Sequence, residues 1–296
     1  MIESVAIEQP KPFGAVRARG ARSKRLSPAP VFAVTSGKGG VGKTNVVANL
    51  ATALARQKRQ VMAIDADLGL ANLDLFLGVT PVFTLADFFA GRAALDQVVV
   101  ANRDGILLLP GASGSQEITS LSGDQKRALL TELDLMTEDI DLVLVDTGSG
   151  ISDVVTYFTS AAQEIVVVVT PEFASIADAY ALIKVLASVH GRKHFAILAN
   201  NVADETQARR LFDTLSGTAL RFLNASLDFL GWIPRDPQLL LAMAQARTVV
   251  TEAPQALSSR AFCALAEQFI RMAGRTKAKG SLQFFLRRML AAEAIS

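Results

Sequence analysis

The chain has 296 residues, half of them hydrophobic, and 30 Lys and Arg against 28 Asp and Glu leave a net charge of only +2. That length suits one large α/β domain with tails or two small domains, and the apolar half can fill a sizeable core. No apolar run approaches the roughly 18 residues of a spanning helix, the N-terminus carries charges and prolines where a signal peptide would be apolar, and a single cysteine, Cys263, permits no internal disulfide and fits a reducing cytosol.

Residues 1–30 hold six basic residues and two acidic ones, and residues 271–296 hold six and one. Residues 31–270 therefore carry −7, an acidic globule between two basic tails. That pattern argues against a general DNA-binding surface and for tails that meet an anionic or acidic partner. Residues 1–30 also contain four of the ten prolines and few apolar residues, so they read as a mostly disordered tail.

Val31 to Thr35 is a short apolar run suited to a buried strand, and a helix is expected over Asn45 to Gln57. Between them, Gly37-x4-Gly42-Lys43-Thr44 fits a phosphate-cradling loop in the strand–turn–helix context that such a loop requires. Gly37, Gly39, Gly40, Val41 and Gly42 bring backbone N–H groups to phosphate oxygens, and the helix presents its positive end to them. Lys43 reaches the β- and γ-phosphates, and Thr44 offers its hydroxyl to Mg2+. A second lysine, Lys38, makes the loop KGGVGKT, and this deviant form resembles that of the MinD/ParA family of ATPases.

Val61 to Ile64 reads as the next strand and runs into Asp65-Ala66-Asp67-Leu68-Gly69-Leu70-Ala71-Asn72-Leu73-Asp74. Carboxylates just past a strand's C-terminal end belong at the ligand crevice of a doubly wound sheet, whereas a surface turn is the alternative. The resemblance selects the first. It implies that this segment is the first switch, that Asp67 positions the attacking water, that Asp65 supports the Mg2+ shell and that Asn72 lies near the nucleotide of a dimer.

A short helix is expected over residues 84–91, a strand over Ile106 to Leu109, then the turn-rich loop Pro110-Gly-Ala-Ser-Gly-Ser, and a helix over residues 124–136. Asp141 to Val145 reads as a central strand delivering Asp146, whose carboxylate would hold Mg2+ through its water shell. Thr147-Gly148-Ser149-Gly150 would form the second switch, free to move when the γ-phosphate leaves. The strand Ile165 to Val169 enters a helix with Ile176, Tyr180 and Ile183 on its apolar face. Phe195 to Ala199 reads as a strand ending in Asn200-Asn201, and the resemblance implies that Asn200 reads the adenine, with Asn201 the alternative. A last strand, Phe229 to Ile233, ends in Pro234-Arg235-Asp236, where the backbone of Pro234 and Asp236 resembles the family segment closing over the base. A helix over Pro254 to Ala273 completes an ATPase domain of residues 31–273, and the alternating βα units predict a doubly wound, mostly parallel sheet with helices on both faces, as in P-loop NTPases. His190 and His194 flank a Gly-Arg-Lys turn and read as surface residues.

Residues 274–280 read as a polar linker, and residues 281–296 as an amphipathic helix. Leu282, Phe285, Leu286, Met289 and Leu290 form its apolar face, and Arg287 and Arg288 flank it. Such a helix could dock on its own domain, meet a partner or lie on an anionic membrane, and MinD-like proteins carry a membrane-targeting helix there.

Asn45 after Thr44, DADLGLANLDLFLG, PGASGSQ, DTGSGIS and SIADAYALIK narrow the resemblance to the flagellar-number regulators of FlhG or FleN type, across nearly all of residues 31–273. The resemblance implies a slow Mg2+-dependent ATPase that forms a homodimer with ATP, Lys38 crossing to the partner's phosphates. It also implies a bacterial cytoplasmic protein recruited to the inner face of the membrane, with an FlhF-type GTPase, flagellar switch proteins or a flagellar transcription activator as partner and no specific nucleic acid. Residues 1–30 lack the Asp-Gln-Ala motif through which many members stimulate FlhF. A MinD-like division-site ATPase, a ParA-type partitioning ATPase and a nucleotide-binding adaptor with little turnover are the alternatives. An iron–sulfur carrier of the same fold needs paired cysteines, which one cysteine excludes.

Overall fold

The computed structural model describes residues 11–12, 29–67, 71–111, 122–137 and 139–275. Its strands are β1 (Lys11–Pro12), β2 (Val31–Ser36), β3 (Val61–Ala66), β4 (Val100–Ala101), β5 (Leu107–Leu109), β6 (Leu142–Ser149), β7 (Glu164–Val169), β8 (His194–Val202) and β9 (Ser226–Pro234). The helices, in chain order, are α1 (Lys43–Arg56), α2 (Leu73–Leu77), α3 (Leu85–Phe89), α4 (Leu95–Val98), α5 (Gly123–Met136), α6 (Asp153–Ala161), α7 (Phe173–Ser188), α8 (Glu205–Phe222), α9 (Pro237–Ala244), α10 (Val249–Glu252) and α11 (Leu257–Arg275).

Strands β2, β3, β6 and β7 are apolar on both faces because both faces are covered, as expected of a parallel sheet. The strand order is β1-β4-β5-β3-β6-β2-β7-β8-β9. Every pairing is parallel except those of β4, which runs antiparallel to both β1 and β5. Phe32 and Val34 of β2 face the core shared with α1 and α11, while Val31 and Ala33 face the core shared with α5 and α6. A third core joins β7 and β8 to α7 and α8. The doubly wound expectation therefore holds, with β2 between β6 and β7 so that its C-terminal end opens at the middle of the crevice.

Helix α11 packs over α1 and β9. The Phe269 ring packs tilted against that of Phe32 with centroids 4.7 Å apart, and both side chains are fully buried. Phe269→Ala is expected to destabilise the domain by about 3–5 kcal/mol, seen as a lower denaturant midpoint at unchanged slope.

Several boundaries differ from expectation. Strand β6 runs on through Asp146 to Ser149, and β8 through Asn200 and Asn201 to Val202, because the parallel neighbours supply ladder partners beyond the apolar run. Helix α11 starts at Leu257 and continues through Gly274, which does not act as a stop. Lys11 and Pro12, expected in a disordered tail, pair with Ala101 and Val100 at the sheet edge, where a proline is tolerated. Residues 1–10 and 13–28 of that tail, residues 68–70 of the expected first switch, most of the loop after β5, residues 276–280 of the predicted linker and the predicted amphipathic helix (Leu282, Phe285, Leu286, Arg287, Arg288, Met289 and Leu290) lie outside the described residues. No described helix is long and apolar enough to cross a membrane.

Candidate functional site

The register of the central strands builds the site. Asp65 of β3 lies directly beside Asp146 of β6, and Asp146 beside Val34 of β2, so both carboxylates fall on the α1 face at one level of the sheet. The β2–β6 register then shifts between Val34 and Ser36, where the chain leaves the ladder for the glycine-rich loop. Gly40 and Gly42 take φ of 76° and 92°, a left-handed backbone that favours glycine, and Gly42 stands at the N-cap of α1. The first turn of α1 carries no acidic residue, so its unpaired N–H groups and positive end stay open to an anion.

Gly37 has a second reason to be glycine. A Cβ there would sit 2.0 Å from the main-chain oxygen of Asp178, so α7 touches the loop backbone. Gly150 N–H donates to the Ser36 carbonyl at 3.0 Å, which seats the segment that follows Asp146 against the loop. The structure thus joins Gly37 to Asn45 with residues 146–150 in one place, as the motif spacing predicts.

Lys43 is almost fully buried, and its Nζ donates to Ser36 Oγ at 2.9 Å. Burial lowers its pKa, and the charges of Asp146 and Asp67 oppose that fall. Asp146 is 1 % exposed, and neither of its carboxylate oxygens has a hydrogen-bond partner. Burial pushes its pKa up to about 8, and the neighbouring Asp65 adds to the rise. Lys43 and the nearby Thr44 hydroxyl, which falls short of a full hydrogen bond, pull it back. A buried carboxylate with no donor, next to a hydroxyl, fits the water shell of a divalent cation. Among the described residues no three His, Cys, Asp or Glu side chains converge into a direct metal cage, so such an ion would be held through Thr44, water and phosphate oxygens.

Asp65 is otherwise engaged. Its Oδ2 accepts from the N–H groups of Asn72 and Leu73 at 3.0 Å each, and its Oδ1 from Asp67 N–H at 3.2 Å. Burial still raises it, to about 6, against those hydrogen bonds. In this structure it ties the end of β3 to the entry of α2. Asp67 stands close to Gly148, where a Cβ would lie 3.8 Å from its carboxylate, so the segments after β3 and within the end of β6 meet beside Lys43.

Asn200 Nδ2 donates to the Val41 carbonyl at 2.7 Å, and its Oδ1 accepts from Asn201 N–H at 3.0 Å. The side chain expected to read the base thus braces the phosphate loop. Asp236 is also committed: it caps α9 through Gln238 N–H at 2.9 Å and accepts from Ser258 N–H and Oγ–H at 2.9 and 2.7 Å. Burial pushes its pKa up, and these bonds outweigh that push and hold it low. Its side chain is therefore committed within the fold, and Pro234 ends β9 two residues before it.

Lys38 Nζ pairs with Glu172 at 2.6 Å across the lip of the loop, with side chains 38 % and 62 % exposed. Ser36 and Glu172 are the residues at the loop that motif reading passed over. Ser36 carried one usable signal, a hydroxyl at the end of the strand immediately before the first loop glycine.

A family model described as ParA, NUBPL iron-transfer P-loop NTPase, matches residues 28–270. The antiactivator FleN of Pseudomonas aeruginosa is 43 % identical over 90 % of this chain and 95 % of its own length. The flagellum site-determining protein YlxH of Helicobacter pylori is 33 % identical over 77 % of this chain and 78 % of its own. MinD in the MinC:MinD complex of Aquifex aeolicus superposes with a TM-score of 0.68 at 28 % identity, covering 82 % of this chain and 96 % of that one. MinD of Pyrococcus horikoshii, solved with Mg-ADP, gives 0.65 at 26 % identity over 83 % and 98 %.

Proposed function

The chain belongs to the ParA/MinD family of P-loop ATPases, in its FleN/FlhG-type branch, and from that premise we propose that it is an ATP-dependent dimerising switch at the cytoplasmic membrane that regulates flagellar number or placement. The observation that carries the proposal is the pair of lysines on one loop. Lys43 is buried against Ser36 and two carboxylates, while Lys38 stands at the rim, held only by an exposed ion pair. The rim is apolar too. Phe173, next to Glu172, is 87 % exposed, and Ile151, next to Gly150, is 55 % exposed. A second copy closing face to face would cover both.

ATP would bind with its phosphates on the N–H groups of residues 37–45, and Lys43 would exchange Ser36 for a β- or γ-phosphate oxygen. Thr44 and Asp146 would hold Mg2+, which supplies charge neutralisation on those phosphates when bound. Lys38 of each subunit would leave Glu172 for the partner's phosphates, adding positive charge where negative charge develops. Asp67, opposite Gly148, would orient a water toward the γ-phosphorus; the new P–O bond forms as the bond to the ADP oxygen breaks, and phosphate departs. The second switch, hydrogen-bonded to Ser36 through Gly150, would then move and open the dimer. The predicted helix of residues 281–296 would bind an anionic bilayer well only in pairs. The word antiactivator in the name of the Pseudomonas relative supports an activator as the flagellar target. The iron-transfer description of the family model does not carry over, because the one cysteine, Cys263, sits on α11 away from the loop.

Lys38→Ala is expected to leave the monomer folded and to abolish ATP-dependent dimerisation in analytical ultracentrifugation; normal dimerisation and hydrolysis would overturn the proposal. Full-length protein should co-sediment with anionic vesicles in ATP and not in ADP, and a chain ending at Gly280 should stay in solution in both. Glu172→Ala removes an exposed pair, so the melting temperature should hold while the ATP concentration at half-dimerisation falls by at most about fivefold.

A further inference from the structure

Asn45 and Asn49 lie one turn apart on α1, 5 % and 0 % exposed. Val250 N–H, on α10, donates to Asn49 Oδ1 at 3.2 Å. That bond orients the Asn49 amide, so its Nδ2 faces Asn45 and donates to the Asn45 carbonyl at 2.9 Å and to Asn45 Oδ1 at 3.3 Å. Asn45 cannot be flipped without setting two amide donors against each other. Its Nδ2 is therefore turned away from Asn49, and it is buried with no hydrogen-bond partner. Asn45 is the third residue of α1, and helix side chains lean toward the N-terminus, which here is the phosphate loop. A buried donor without an acceptor is unfavourable, and a ligand oxygen arriving at that loop relieves it.

We propose that the Asn45 amide is a hydrogen-bond donor to a phosphate oxygen of the bound nucleotide, and that Asn49, locked by the main chain of Val250, is the positioning residue that holds it in the donating orientation. The inference rests on the reading of residues 37–45 as a nucleotide site. It makes occupancy of that site tighten the α10 segment through two hydrogen bonds, with α10 leading into α11.

The test measures Mg-ATP affinity by calorimetry, and hydrogen exchange at the Val250 amide, for wild type, Asn45→Ala, Asn45→Asp, Asn49→Asp and the Asn45→Ala/Asn49→Asp double variant. Asn45→Asp keeps the acceptor that Asn49 needs, so it leaves the fold intact while aiming a carboxylate oxygen at the phosphate; affinity should fall by roughly a hundredfold. Asn45→Ala and Asn49→Asp should each lose roughly tenfold. The double variant should bind no more weakly than the weaker single one, because both act on one donor. Nucleotide should slow exchange at Val250 in wild type and not in Asn45→Ala. Asn45→Asp binding within twofold of wild type, or losses that multiply in the double variant, would overturn the inference. Absence of nucleotide binding by the wild type would instead overturn the site reading on which it rests.

Discussion

Asp146→Asn is expected to make the nucleotide-free protein more stable and to abolish its stabilisation by Mg-ATP. The carboxylate is buried with no donor, beside Asp65 at the same level of the neighbouring strand, and burial is the main reason its pKa rises from 3.8 to about 8. The sign follows from proton counting. Between those two values the folded chain holds a proton that the unfolded chain has released, so stability falls as pH rises across this window and the loss is complete above pH 8. The loss is on the order of a few kcal/mol, since each pKa unit is worth about 1.4 kcal/mol. An amide has nothing to ionise, so the variant's stability should be flatter than wild type's from pH 4 to 8, and at alkaline pH its melting temperature should be higher by several degrees. Mg-ATP at a hundred times its dissociation constant would stabilise wild type by about 2.7 kcal/mol, and the variant should show none of this. Calorimetric scans across pH, with and without Mg-ATP, decide it. A lower melting temperature in the variant, or an unchanged response to Mg-ATP, would show that Asp146 is a structural carboxylate.

Gly37→Ala should be the most damaging single methyl group in the loop. Its Cβ would meet the Asp178 carbonyl oxygen and carbon at 2.0 and 2.1 Å and the Ala179 nitrogen at 2.5 Å, all main-chain atoms of α7. No rotamer relieves a backbone clash, so α7 or the loop must shift. The cost should exceed the usual 1–3 kcal/mol of overpacking, with a fall in melting temperature of about 6–12 °C and nucleotide affinity lost with the loop geometry. Gly40→Ala is the control. Nothing lies within 4 Å of its Cβ, so only the left-handed φ of 76° is penalised, at about 1 kcal/mol. Equal melting temperatures for the two variants would refute this account of Gly37.

Much of the site was legible because its chemistry is local. A phosphate loop needs glycines, Lys43 and Thr44 at set spacings between a strand and a helix, and each requirement is met within fifteen residues. Asp146 was legible for the same reason, as a carboxylate ending an apolar strand. The side-chain partners of the residues expected near the base were not legible. Asn200 braces Val41, and the Asp236 side chain caps α9 and bonds to Ser258, and the partners Val41 and Ser258 come from distant segments of the chain.

The amino-acid order alone determined which strands are buried on both faces, where the phosphate loop lies and that it carries a second lysine. Each of these depends on periodicity or spacing over a few neighbours. Tertiary structure alone decided that Asp65 and Asp146 stand side by side, that Asp178 leaves no room at Gly37, that Glu172 holds Lys38, and that Val250 orients Asn49 and through it Asn45. These contacts join residues tens to hundreds of positions apart, and their geometry comes from strand order and helix packing. Local composition is silent about which backbone will pass within van der Waals contact of a glycine, or which amide will find its partner across the core.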